Sequence, residues 1–187
     1  MKRRVLNIII IVEIVFILAG VLVFGVTNGR YYGMVNITKE YFQSYAKKDV
    51  KNLYSMLNIQ KSAWLKENSF AKSIESIEGI RYSKFSIGDI QREKQRATVD
   101  IVYQEDKDGT EKHFLVNLSK QKKKALSIFP VWKVEPDHFV VKDVEIVTPK
   151  DVTLYVDGIE VEKKLESSAL EDVYRIDQIF LGAVSYT

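Results

Sequence analysis

The chain has 187 residues, 46% of them hydrophobic and 28% charged, with nine glycines, three prolines and no cysteine. This composition excludes a disordered tail, a collagen-like repeat and a disulfide-stapled scaffold, and the missing thiol excludes Cys-based zinc sites, iron–sulfur clusters, thiol nucleophiles and a lipidated cysteine. Of 28 basic and 25 acidic residues, three basic and one acidic lie in the first 26 positions, which leaves +1 for the remainder and argues against a broad nucleic-acid surface.

The first element is apolar. Residues 5–26 read VLNIIIIVEIVFILAGVLVFGV, long enough as a helix of ~33 Å to cross a hydrocarbon core of ~30 Å. Val5, Ile10, Phe16, Leu22 and Val26 belong to that run, and Glu13 interrupts it. The summed preference of the aliphatic residues outweighs the ~2.5–3.5 kcal/mol cost of one central carboxylate. The expectation is an uncleaved signal anchor, because a cleaved signal peptide has a shorter apolar region and an A-x-A-like site. Lys2, Arg3 and Arg4 place its N-terminus in the cytoplasm, so the bulk is expected outside the cell membrane. Glu13 is either tolerated there or serves as a polar handle for another helix.

After a juxtamembrane linker over residues 29–36, three helical patterns follow. Ile37, Tyr41, Phe42 and Tyr45 form the first. Asp49 is the expected N-cap of the second, with Val50, Leu53, Tyr54 and Leu57 apolar. The third covers residues 62–78, with Trp64, Leu65, Phe70, Ile74 and Ile77 on its apolar face and Gly79 as its stop.

From Arg81 the period becomes two, the mark of strands. Strands are expected around 82–87, 98–103 and 114–118, with a turn at Asp106–Gly109, then around 126–128 and 131–134. The fold class is therefore α+β: a transmembrane helix, three helices packed on a curved antiparallel sheet over 37–137, then a small all-β module over 138–187. In that module Asp157-Gly158 is the strongest hairpin signal. A strand pattern at 183–187 stops at Thr187, so the expected sheet is incomplete.

The order of elements resembles a known group. Tyr41-Phe42, Lys48-Asp49, Leu53-Tyr54 and Leu57, the strand Ala97–Ile101, and the closing Val131-Trp132-Lys133-Val134-Glu135-Pro136 resemble the nuclear-transport-factor-2-like (cystatin-like) domain of MecA-type penicillin-binding proteins and TcaA-type envelope proteins of Gram-positive bacteria. Residues 143–161, DVEIVTPKDVTLYVDGIEV, resemble the β-modules that follow such domains. The resemblance implies a membrane-anchored, extracytoplasmic binding or scaffolding protein of the cell envelope. The zinc ribbon and the Ser-x-x-Lys transpeptidase domain of those relatives are absent from the sequence.

Catalytic candidates are few. Folds of this class often enclose a pocket with an Asp or His as general base, and Asp100 and His113, on neighbouring strands near Tyr103, are the candidates here. The simpler reading puts both on the solvent face of a half-buried sheet. His138 reads as a linker residue, and Trp64 and Trp132 read as core, with ligand platforms the sharper alternative. Lys120, Lys122, Lys123 and Lys124 are a candidate contact for wall polyanions or lipid head groups, though such a run more often solvates a turn. No phosphate loop, paired metal ligands or Gly-x-Ser-x-Gly elbow occurs in the sequence, so no metal or cofactor is expected. The expected partners are the lipid bilayer and cell-wall polymers or other envelope proteins, not nucleic acid. Two alternatives stand beside this reading: a pocket-containing isomerase-like enzyme or small-molecule binder using Asp100 and His113, and a structural subunit of a secretion or conjugation channel.

Overall fold

The computed structural model describes the backbone of residues 2–125, 129–162 and 164–181, and the side chains of 12–21, 23, 33–122, 130–162 and 164–181. Helix α1 runs from Lys2 to Lys47 without a break. The expected linker at 29–36 is helical instead. Glycine costs an isolated helix only about 1 kcal/mol, and α1 passes β4 here, where a Cβ on Gly33 would stand 3.7 Å from the Trp132 ring.

The membrane anchor expected over 5–26, with Val5, Ile10, Glu13, Phe16, Leu22 and Val26 inside it, is corrected: among the described residues no helix is long and apolar enough to cross a membrane. The single-pass topology that Lys2, Arg3 and Arg4 were expected to orient, and the extracytoplasmic location of the bulk, are corrected with it.

Lys48 closes α1 by taking the left-handed turn at φ 54°, while the N–H of Asp49 returns to the carbonyl of Ser44 at 2.9 Å. Asp49 then caps α2 (Val50–Met56), its Oδ1 accepting the Asn52 N–H at 3.1 Å. Helix α3 occupies Glu67–Ser76, five residues shorter at its start than the periodicity predicts. Residues 62–66 form a loop because the hydroxyl of Ser62 accepts the N–H of Trp64 and the hydroxyl of Tyr54 donates to the carbonyl of Leu65.

Strands β1 (Tyr82–Arg92), β2 (Arg96–Glu105), β3 (Glu111–Ala125) and β4 (Phe129–Val134) form an antiparallel meander in that order. Alternation decides its faces: Ala97, Val99 and Ile101 on β2 and Val116 and Leu118 on β3 are buried beneath the helices, and the residues between them face outward. The β4 edge is blocked by a bridge between Leu57 and Val134, which limits pairing with other chains.

After Pro136, β5 (Val140–Pro149), β9 (Glu171–Phe180) and β8 (Lys164–Ser167) form a second antiparallel sheet in the order β5-β9-β8. The hairpin of β6 (Tyr155–Val156) and β7 (Ile159–Glu160) turns at Asp157 and Gly158, both with positive φ, as a two-residue hairpin requires. The strand expected at 126–128 and that expected at 183–187 lie outside the described residues. One apolar core joins the two sheets. Phe70 of α3 packs edge-on to Phe139 at 4.9 Å and against Phe180 at 5.1 Å.

Candidate functional site

A pocket of the kind the resemblance implies would lie between the helices and the first sheet. That space is filled with rings. Phe42 of α1 lies 5.0 Å from Tyr82, 5.0 Å from Phe85, 5.4 Å from Tyr103 and 5.6 Å from Phe114, centroid to centroid. Tyr45 bridges Phe114 and Phe139. Tyr41 is fully buried, and burial, with Tyr45 and Asp137 nearby, pushes its phenol well above the usual range. It therefore stays neutral at any physiological pH.

Strand alternation carries the two acid–base candidates to the opposite face. Asp100 stands between core-facing Val99 and Ile101, and His113 is in the register row of Val102, two residues along β3 from the partner of Asp100. Their side chains meet, with His113 Nδ1 2.7 Å from Asp100 Oδ2. Tyr103, the third group of the sequence reading, faces the helices and takes no part. The hydrogen bond and charge of Asp100 raise the His113 pKa, with a smaller contribution from Glu111. As an imidazolium, His113 donates Nδ1–H to the carboxylate.

A glycine makes room for this pair. A Cβ on Gly88, at the irregular register of β1, would stand 2.9 Å from Asp100 Oδ2 and 3.0 Å from a Val102 methyl. The Asp100 carboxylate thus lies down over β1, with Oδ1 buried and unpartnered. The side chain of Asp100 is 15% exposed and that of His113 is 60% exposed. The arrangement orients the imidazole through Nδ1 and leaves most of the side chain exposed. It offers no enclosed space in which a substrate would lose its water.

The same outer face continues into a polar groove of about 530 Å³ lined by Gln91, Arg96, Thr98, Asn117, Asp137 and Lys142, among others. Thr98 Oγ1 donates to Asn117 Oδ1 at 2.9 Å, and Asn117 Nδ2 donates to Asp137 Oδ2 at 3.2 Å. This cross-strand ladder fixes three polar side chains that would otherwise be free to rotate. It escaped the sequence reading because Thr98, Asn117 and Asp137 become neighbours only through the register of β2 with β3 and the turn after Pro136. The outward alternation of 98 and 117 was the available signal.

His138 is no linker. Its Nε2 donates to the carbonyl of Leu115 at 3.1 Å and its ring stacks on Phe114, so it covers the part of the β3 edge that β4 does not reach. Of the lysine run, Lys120 and Lys122 stand on β3 rather than in a turn, and the side chains of Lys123 and Lys124 lie outside the described residues. Trp132 packs in the core. Among the described residues, no group of three or more His, Asp or Glu is placed to hold a metal ion.

Comparison with family models, with curated proteins and with solved structures finds no match.

Proposed function

We propose that this chain is a non-catalytic binding or scaffolding module whose contact surface is the polar outer face of the β1–β4 sheet. The observation that carries this reading is the filled space under the helices. The rings around Phe42 occupy the position of a substrate, and the acid–base pair that would serve it stands on the other side of the sheet. Among the described residues His113 has Asp100 as its one hydrogen-bond partner, so no nucleophile completes a catalytic set. The outer face instead offers fixed amide and hydroxyl groups beside Arg96 and Lys142, an arrangement suited to a polar polymer or protein surface.

A photo-crosslinking residue placed at Gln91 in the full chain tests this. The expected result is a discrete adduct that disappears in Arg96→Glu and persists in a charge reversal on α2, Lys51→Glu. An absent adduct, or one indifferent to Arg96, contradicts the reading.

A further inference from the structure

A second cleft, remote from the outer face, lies where the loop between α2 and α3 meets the second sheet. It has a volume of about 360 Å³, within the range of small-ligand sites, and it falls at a junction between structural units, where such sites concentrate. Its floor is apolar: Leu65, Val161 and Ile176 are buried. Its rim is polar, with Gln60, Lys61 and Ser62 on the loop and Asp177 and Gln178 on β9.

Trp64 lies in this cleft. Its ring is half-buried and stacks on no other aromatic ring among the described residues, unlike the rings around Phe42 and Phe70. The backbone beneath it is held on both sides, by the Ser62 hydroxyl on the Trp64 N–H and by the Tyr54 hydroxyl at 2.7 Å from the Leu65 carbonyl. Leu65 is anchored in the core. Trp64 thus packs part of its ring against the core, as its spacing predicts, and lines the cleft with the rest.

We infer that this cleft binds a neutral sugar ring, with a pyranose C–H face laid on the Trp64 indole and its hydroxyls met by Gln60 and by Gln178, which shares the face of Ile176 on β9. The chemistry matches point by point. A pyranose is apolar on its faces and carries donors and acceptors around its edge, and a planar amide donates and accepts at once, so it can meet two adjacent hydroxyls. The charges of the lining cancel, since it carries Lys61 and Asp177, and Arg175 is already paired with Asp143. A neutral ligand suits that balance better than an ion. The inference is independent of the outer-face reading, and its failure would leave that reading standing.

The chain has two tryptophans, and Trp132 is buried in the core and does not line the cleft, so an emission change on titration that is lost in Trp64→Tyr is assigned to Trp64. The full chain is titrated with β-linked tetramers of glucose and of N-acetylglucosamine, and with oligoglutamate and oligolysine for comparison. One of the neutral tetramers is expected to shift the emission saturably, and the charged oligomers are not. Calorimetry then follows the variants. Trp64→Ala abolishes binding, Trp64→Tyr retains it, and Gln178→Ala weakens it by roughly tenfold, the equivalent of one or two good hydrogen bonds. The inference is overturned if neither tetramer saturates the change by about 10 mM, if Trp64→Ala binds like the parent chain, or if the charged oligomers compete equally.

Discussion

The two sheets are held in different ways. The four-stranded sheet carries an apolar face of Val99, Ile101, Val116 and Leu118 under a lid of aromatic rings, and keeps its charged pair, Asp100 and His113, on the outside. The three-stranded sheet has fewer rings and buries a carboxylate in their place. Asp172 is completely buried; it takes Lys164 Nζ at 2.6 Å and Ser167 Oγ at 2.7 Å, with Lys150 Nζ at 3.4 Å. The difference is one of size. A large sheet with a helical lid gains enough from apolar burial to leave its polar groups in water, while a short sheet fixes strand register with a charge that must find its partners.

The largest expected effect is at the point where the two regions join. Phe70→Ala removes the ring shared by Phe139 and Phe180, and we expect a loss of about 3–5 kcal/mol in denaturant unfolding. Probes in the two sheets should still report one transition at one midpoint. Separate midpoints would show that the regions are independent.

Asp172→Asn is next, because it leaves two lysines facing a neutral amide. Hydrogen bonds from Lys164 and Ser167, helped by Lys150 and opposed by burial, hold the Asp172 carboxyl far below the usual carboxylate range. A depressed native pKa gives stability that is present above the ordinary value of about 3.9 and is lost as the pH falls below it toward the native value. The parent chain should therefore lose stability steeply below about pH 4, and Asp172→Asn should flatten that limb. A limb unchanged by the substitution would remove Asp172 from this role.

A smaller effect is expected where the β6–β7 hairpin meets α3. Burial works to raise the Asp157 carboxyl, but hydrogen bonds from Lys72 and Ser69 outweigh it and hold the pKa low. Because Lys72 is half exposed, Asp157→Ala should cost only about 1 kcal/mol, with faster amide exchange confined to the hairpin and the adjoining turn of α3. Exchange that quickens throughout the second sheet would mean that this contact holds more than the hairpin.

The smallest effect is at His113. Its raised pKa gives stability that is fully present below about 6.5 and is lost as the pH rises through the native value. At so exposed a residue the change is best read by proton resonance titration. Asp100→Asn should return the His113 pKa toward the ordinary value, and Gly88→Ala should do the same by driving the Asp100 carboxylate off β1. If Gly88→Ala leaves the titration unchanged, the close approach at Gly88 does not govern the pair.

Local chemistry was the legible part of this chain. Asp49 announces its helix, and Asp157-Gly158 and Gly109 announce their turns, because cap and turn geometry depends on a few adjacent residues. The alternation around Val99 and Ile101 already placed Asp100 outside the core in its simpler reading. Long-range packing was not legible. The end of the apolar run suggested a linker over residues 29–36, yet the helix continues through it and passes Trp132 at Gly33, a hundred residues apart in sequence. The loop at 62–66 reads as helix from its apolar spacing, and only the hydroxyls of Ser62 and Tyr54 show why it is not. The shared core of Phe70, Phe139 and Phe180 likewise crosses a boundary that Pro136 and the change of pattern suggest.

The reading of this chain as a binder turns on the space beneath the helices. Ring resonances of Phe42, Phe114 and Tyr103, followed in the full chain during titration with small apolar carbonyl compounds, measure it directly. The account expects no saturable shift at these rings and no loss of the His113–Asp100 pair. A saturable shift centred on Phe42, with turnover of the added compound that His113→Ala abolishes, would contradict it.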